Sequence, residues 1–152
     1  MNAHQLENEK RIAMCALTHG ITGIFVNFSG GGDSGQIDII ETRIQDTPTD
    51  ANKIYITVFV EGAVEFNKDT NGWEKPPVKE HTVTLYEALE THVYSVLQDT
   101  QIDWYNNDGG SGEWFWDVQS NKVRFIVGVY ELVSETILDE SRIIGQEVDT
   151  EE

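Results

Sequence analysis

The chain has 152 residues, the size of one ordinary domain, with 10 Lys and Arg against 27 Asp and Glu for a formal charge of −17. Hydrophobic residues make up 39% and aromatic residues 10%, enough apolar material for a core, so wholesale disorder is not expected. The charge argues against direct binding to nucleic acid or an anionic membrane, and no run of about 18 apolar residues offers a transmembrane helix.

The first ten residues lack the basic-then-apolar order of a secretory leader, and the lone Cys15 excludes an internal disulfide framework, so a cytoplasmic setting is expected. Leu6, the Glu9–Lys10 pair, Ala13, Met14 and Leu17 recur near helical spacing, with Ile12 and Ala16 widening the face. They predict a helix over 3–19 that stops at Gly20. Strands are expected over 21–28 and 36–44, joined by the loop Ser29-Gly30-Gly31-Gly32-Asp33-Ser34-Gly35. In the second strand Ile37, Ile39 and Glu41 should share one face, opposite Asp38, Ile40 and Thr42. After a turn at 47–50, residues 54–60 form the most β-biased stretch of the chain.

Residues 67–77 read as a polar interruption with a tight turn at Asn71-Gly72 and a break at Pro76-Pro77. A short strand over 78–83 precedes Thr84-Leu85-Tyr86-Glu87, a capping box. The apolar stripe Leu85, Ala88, Leu89, Val93, Val96 and Leu97 then predicts a helix to about Asp99. A hairpin follows, 113–118 against 123–133, whose second strand is apolar on both faces and suits a central position. Residues 1–133 are expected to form a single α+β domain, with 134–152 an acidic C-terminal segment, partly docked or frayed. The fold class is α+β, a mostly antiparallel sheet of five to six strands with two main helices packed on one face.

Two segments share a pattern of an aromatic residue, a loop rich in Gly, Asp and Asn, then Ser-Gly and a strand. Ser34-Gly35-Gln36 aligns with Ser111-Gly112-Glu113, which suggests a repeat. Asp33, Ser34, Asn106, Asn107, Asp108, Ser111 and Glu113 are therefore the candidate ligand or partner residues. Their amides suit an anion nest and their carboxylates a hard cation, yet the spacing matches neither a Walker A loop nor an EF-hand. Tight turns explain the same composition without a ligand. The segments Ser29–Gln36 and Asn106–Val118 resemble the hallmarks of a small bacterial, plasmid and phage family of unknown function. That resemblance implies no catalytic residues and suggests a mobile-element setting, where small acidic proteins antagonise host defence.

Gly-Asp-Ser-Gly at 32–35 has no accompanying His and Asp context for a serine nucleophile. His4, His19, His81 and His92 form no helical pair of metal ligands; convergence of His81 and His92 on Asp33 or Asp108 is the one metal or general-base alternative. The aromatic residues near the second loop lack a cationic groove for base stacking, so Trp73 and Trp114 are read as interface anchors or, for Trp114, as core. No cofactor is expected. The leading expectation is a non-enzymatic acidic protein that engages a basic protein partner, in its specific form an inhibitor or nucleic-acid mimic occupying a basic site on a host nucleic-acid-processing or defence protein. The alternative is a small metal- or anion-binding enzyme that uses the two Gly-rich loops.

Overall fold

The computed structural model describes residues 1–31, 34–61, 64–100, 109–130 and 134–147. Helix α1, Ala3–Thr18, opens on a capping box in which the Asn2 side chain accepts the Gln5 N–H while the Gln5 side chain accepts the Asn2 N–H. It closes at Gly20, whose φ of 75° lies in the left-handed region that glycine adopts without strain. The chain then forms β1, Gly23–Gly31, and β2, Ser34–Ile44, as an antiparallel hairpin. β3, Thr47–Thr49, and β4, Tyr55–Val60, follow.

The polar stretch expected to interrupt the chain instead folds as a small hairpin of β5, Glu65–Asn67, and β6, Gly72–Glu74. Asn71 turns it with a φ of 54°, a conformation to which asparagine is suited. β7, Lys79–Thr84, pairs with β4 and leads directly into α2, Leu85–Thr100. The Thr84 hydroxyl accepts the Glu87 N–H at 3.1 Å, as the capping motif predicts. β8, Gly110–Asp117, β9, Lys122–Tyr130, and β10, Ser134–Ile143, complete the chain.

Six strands form one antiparallel sheet in the order β10-β9-β8-β1-β2-β3, and β4 with β7 forms a separate two-stranded ribbon. β9 lies between β8 and β10, an interior position in the strand order. The segment after Ser134 supplies the edge strand of this sheet. Ile24, Val26 and Phe28 of β1, Trp114 and Trp116 of β8, and Val123, Phe125 and Val127 of β9 face the helices and are buried. Leu85, Leu89, Val93, Val96 and Leu97 of α2 meet them with Ile12, Ala13 and Ala16 of α1. Side chains of α1 also hold the edge of β4 away from β7: Asn8 bonds both the N–H and the carbonyl of Phe59, and Arg11 bonds the Thr57 carbonyl.

Two expected faces are corrected. In β2 the register slips opposite Asn27 and Phe28, so Asp38 is an extra, bulged residue. Ile37, Ile40 and Thr42 therefore stand opposite Phe28, Val26 and Ile24, and Ile39 turns to the open side, where it is exposed. In α1, Met14 and Leu17 are exposed and Glu9 is buried, a rotation of the inner face explained by the partners of Glu9.

Candidate functional site

The two Gly-rich segments meet at one end of the main sheet. Ser29 pairs with Gln36 on one side and Ser111 on the other; Gly30 likewise pairs with Gly35 and Gly110. Backbones approach closely here, since a Cβ on Gly109, at φ 82°, would overlap the Gly30 carbonyl. Ser34 pairs through its backbone with Gly31. Alternation along β8 turns Ser111 and Glu113 to the sheet face that the helices leave uncovered, where Glu113 is exposed. Asp33, Asn106, Asn107 and Asp108 lie outside the described residues. Beside this end Ser29 donates to Asp38 Oδ2 at 2.5 Å and Gln36 donates to Asp38 Oδ1 at 3.1 Å. Among the described residues, no group of three His, Cys, Asp or Glu side chains is placed to hold a metal ion.

The open face also carries Phe25 and Phe115 in contact at 4.7 Å, with the Arg43 guanidinium over the Phe25 ring at 4.8 Å. Glu113 and Arg124 border a depression of about 340 Å³ on this face, with Asn27 and Ile126. The two expected interface anchors part company. Trp73 is 73% exposed on the β5–β6 hairpin and packs edge-on against Phe66 at 5.5 Å. Trp114 is 1% exposed in the core, because its side of β8 is the side the helices cover, so it is no surface anchor.

A buried ionic cluster lies between the helices and β10. Glu9 is fully buried on α1, His92 is 3% exposed on α2, and Arg142 is 8% exposed on β10. Arg142 bonds both oxygens of Glu9, with NH2 to Oε2 at 2.9 Å. His92 Nε2 meets Oε2 at 2.7 Å, and the Gly145 N–H donates to Oε1 at 2.8 Å. Arg142 also reaches the Gln146 carbonyl at 3.1 Å and, through Nε, Glu140 at 3.2 Å. Burial acts to raise the Glu9 pKa, but the hydrogen bonds from Arg142 and His92, together with their charges, outweigh it and lower the carboxyl to about 2. An ionised Glu9 only accepts, so Nε2 of His92 carries a proton, and the ring's other nitrogen is Nδ1. That Nδ1 is buried without a hydrogen-bond partner among the described residues.

His92 also borders a groove of about 400 Å³ that runs between α1, α2 and the β4–β7 ribbon. Val58, Phe59, Val60 and Val83 supply its apolar wall, and Glu61, Glu87 and Asp99 supply carboxylates. Sequence reasoning named neither the cluster nor the groove. The available signal was Glu9 at positions −3, −4 and −7 from Ile12, Ala13 and Ala16, and His92 inside the stripe of Ala88, Leu89, Val93 and Val96. A charged or titratable residue on a helix's apolar stripe points to a buried partner elsewhere in the chain.

With these elements placed, one comparison is informative. A family of unknown function, DUF6878, matches residues 5–130, a span from the first turns of α1 to the end of β9. The chain belongs to this family. Glu9, His92, both Gly-rich segments and Trp73 lie inside the matched span of DUF6878, and Arg142 and Gly145 lie beyond it. No curated protein and no solved structure matches the chain.

Proposed function

We propose that this member of DUF6878 is a non-enzymatic acidic binding protein that engages a basic protein partner, and that in doing so it occupies a basic site on a nucleic-acid-processing or defence protein. The observation that supports this reading most is the distribution of charge: 27 acidic against 10 basic residues, with exposed carboxylates on the sheet, the ribbon, the small hairpin and α2 alike. A surface of one sign steers a complementary partner and raises its association rate. The exposed pair of Trp73 and Phe66, flanked by Glu65, Asp69 and Glu74, is the aromatic anchor such an interface uses.

Affinity capture with the wild-type chain is expected to recover a basic partner at both low and physiological salt. Trp73→Ala should weaken that association by about 2 kcal/mol, roughly 30-fold, as expected for an exposed hot-spot aromatic. Because Trp73 stands outside the core, the midpoint of urea unfolding should stay unchanged within about 0.5 kcal/mol. Recovery of no basic partner at either salt concentration overturns the reading.

The adjacency of the two Gly-rich segments favours a second reading, a site for a metal or an anion at that end of the sheet. It predicts that Asp33→Asn and Asp108→Asn abolish binding of a divalent cation or phosphate, measured by titration calorimetry, while the unfolding midpoint is retained. A lowered midpoint with no ligand binding in the parent chain assigns the loops to turn formation alone.

A further inference from the structure

The main sheet carries helices on one face only. On the other, Phe25 and Phe115 stand opposite each other in the ladder and touch at the centre, with Ile126 bordering the same depression. Ile39 and Ile143 lie towards the two borders and are 52% and 44% exposed. No described element packs over these side chains. Aromatic and aliphatic groups gathered at the centre of a sheet face, with polar groups around them, are the composition of an interface.

Opposite charges nearly balance on this face. Arg43 meets Glu41 at 2.9 Å, Arg124 holds both oxygens of Asp139 at 3.1 and 2.9 Å, and Lys122 stands opposite Asp117 in the ladder. Asp38 and Glu113 are the acidic residues left over. Over the whole chain, by contrast, 27 acidic residues outnumber 10 basic ones. A basic partner gains least where carboxylates are already matched and where it meets guanidinium groups of its own sign. A second copy of the chain carries the same negative excess, so it is repelled least at a face of balanced charge.

The dimensions suit the same occupant. Five strands about 4.8 Å apart and about 27 Å long offer about 650 Å² per copy, about 1,300 Å² in total, which is the scale of a specific interface. Twisted antiparallel sheets stack face to face at about −30° in sandwiches, so two such faces meet without distortion of either. The depression of about 340 Å³ beside Phe25, Phe115 and Ile126 gives a side chain of the second copy a place to enter.

We propose that the chain forms a homodimer through this open face, two copies stacking their sheets about a two-fold axis with Phe25 and Phe115 at the centre of the contact. The contact is separate from the Trp73 hairpin and does not depend on a basic partner.

Sedimentation equilibrium of the full chain is expected to show a monomer–dimer equilibrium that tightens about tenfold between about 0.1 M and about 1 M sodium chloride, as the Debye length falls from about 10 Å to about 3 Å and screens the repulsion between two chains of charge −17. Capture of a basic partner responds to salt in the opposite sense. Phe115→Glu at the centre and Ile39→Glu at the border should each weaken the dimer about tenfold, by placing an unpaired carboxylate in the contact. Ile39 is outside the core, so Ile39→Glu should keep the far-ultraviolet circular dichroism of the parent and serves as the test if Phe115→Glu fails to fold. Trp73→Ala, on the small hairpin, should change the dimer by less than about twofold. Methyl resonances of Ile39, Ile126 and Ile143 should shift with protein concentration, while those of Met14 and Leu17, exposed on α1, should stay fixed. A chain that remains monomeric at about 1 mM in about 1 M salt overturns the proposal. So does a dimer that ignores both substitutions, one whose shifts are confined to Met14 and Leu17, or one that weakens as salt is added.

Discussion

Replacing Arg142 with methionine is expected to destabilise the fold by about 3–5 kcal/mol, because it removes one partner of a buried ion pair and strands the other. Glu9 would keep only His92 and the Gly145 N–H in a position where it has no access to water. Glu9→Gln should cost a comparable amount, since it leaves the Arg142 guanidinium buried with Glu140 as its remaining carboxylate. The double variant Glu9→Gln/Arg142→Met should be clearly less destabilised than the sum of the two, as each substitution removes the charge that the other strands. Urea unfolding of the four proteins measures this coupling directly; strict additivity would mean that the pair contributes nothing beyond its separate parts.

The same cluster predicts a pH dependence. The Glu9 carboxyl is lowered from an ordinary value of 4.5 to about 2 in the folded chain. The unfolded state therefore binds the proton first, so the contribution of Glu9 is fully present above about pH 4.5 and is lost as pH falls towards 2. A shift of that size corresponds to about 3 kcal/mol. Protonation of the many surface carboxylates relieves repulsion over the same range, in the opposite direction. The informative quantity is therefore the difference between the parent and Glu9→Gln, which should shrink steadily between pH 4.5 and pH 2.

Gly112→Ala is expected to cost about 3 kcal/mol, the upper end of the range for overpacking. A Cβ at this position would overlap the Ile126 carbonyl oxygen on β9 and the Phe28 ring on β1. Gly112 stands directly opposite both Phe28 and Val127 in the ladder, so the ring occupies the space a side chain would fill. Phe28→Leu added to Gly112→Ala should recover only part of the loss, since the Ile126 carbonyl belongs to the backbone and cannot turn away. A midpoint of urea unfolding within about 0.5 kcal/mol of the parent would show that the sheet opens here at little cost.

How much of this was legible beforehand depended on which groups set each feature. The helix over 85–100 is marked by its own residues, a threonine cap and an unbroken apolar stripe, and the β8–β9 hairpin is marked by its polar turn. The location of α1 was equally plain, but its orientation was not. Met14 and Leu17 are apolar and exposed, while Glu9 is charged and buried, and partners far along the chain, Arg142, His92 and the Gly145 N–H, make the second arrangement stable. Alternation in β2 failed at one residue, Asp38, because a bulge is set by the partner strand rather than by the strand's own pattern. The kinship of the two Gly-rich segments was visible as composition; their meeting was not, since it depends on β8 choosing β1 as its neighbour. The groove was hidden for the same reason. Its carboxylates are ordinary surface residues of one helix until α1 and β4 enclose the space beside them.

The link between Glu9 and Arg142 spans 133 positions of the chain. During synthesis the ribosome releases α1 well before β10, so the helix emerges with a carboxylate whose counterion has yet to be made. The sheet order compounds the delay, since β1 must wait for β8 before its second edge is paired. Local structure in α1 and in the β1–β2 hairpin forms without these distant partners, but sealing Glu9 from water before Arg142 arrives would bury an unmatched charge. Sealing of the interior around Glu9 is therefore expected only once β10 has emerged, and a ribosome arrested before β10 would carry a chain with that interior unsealed.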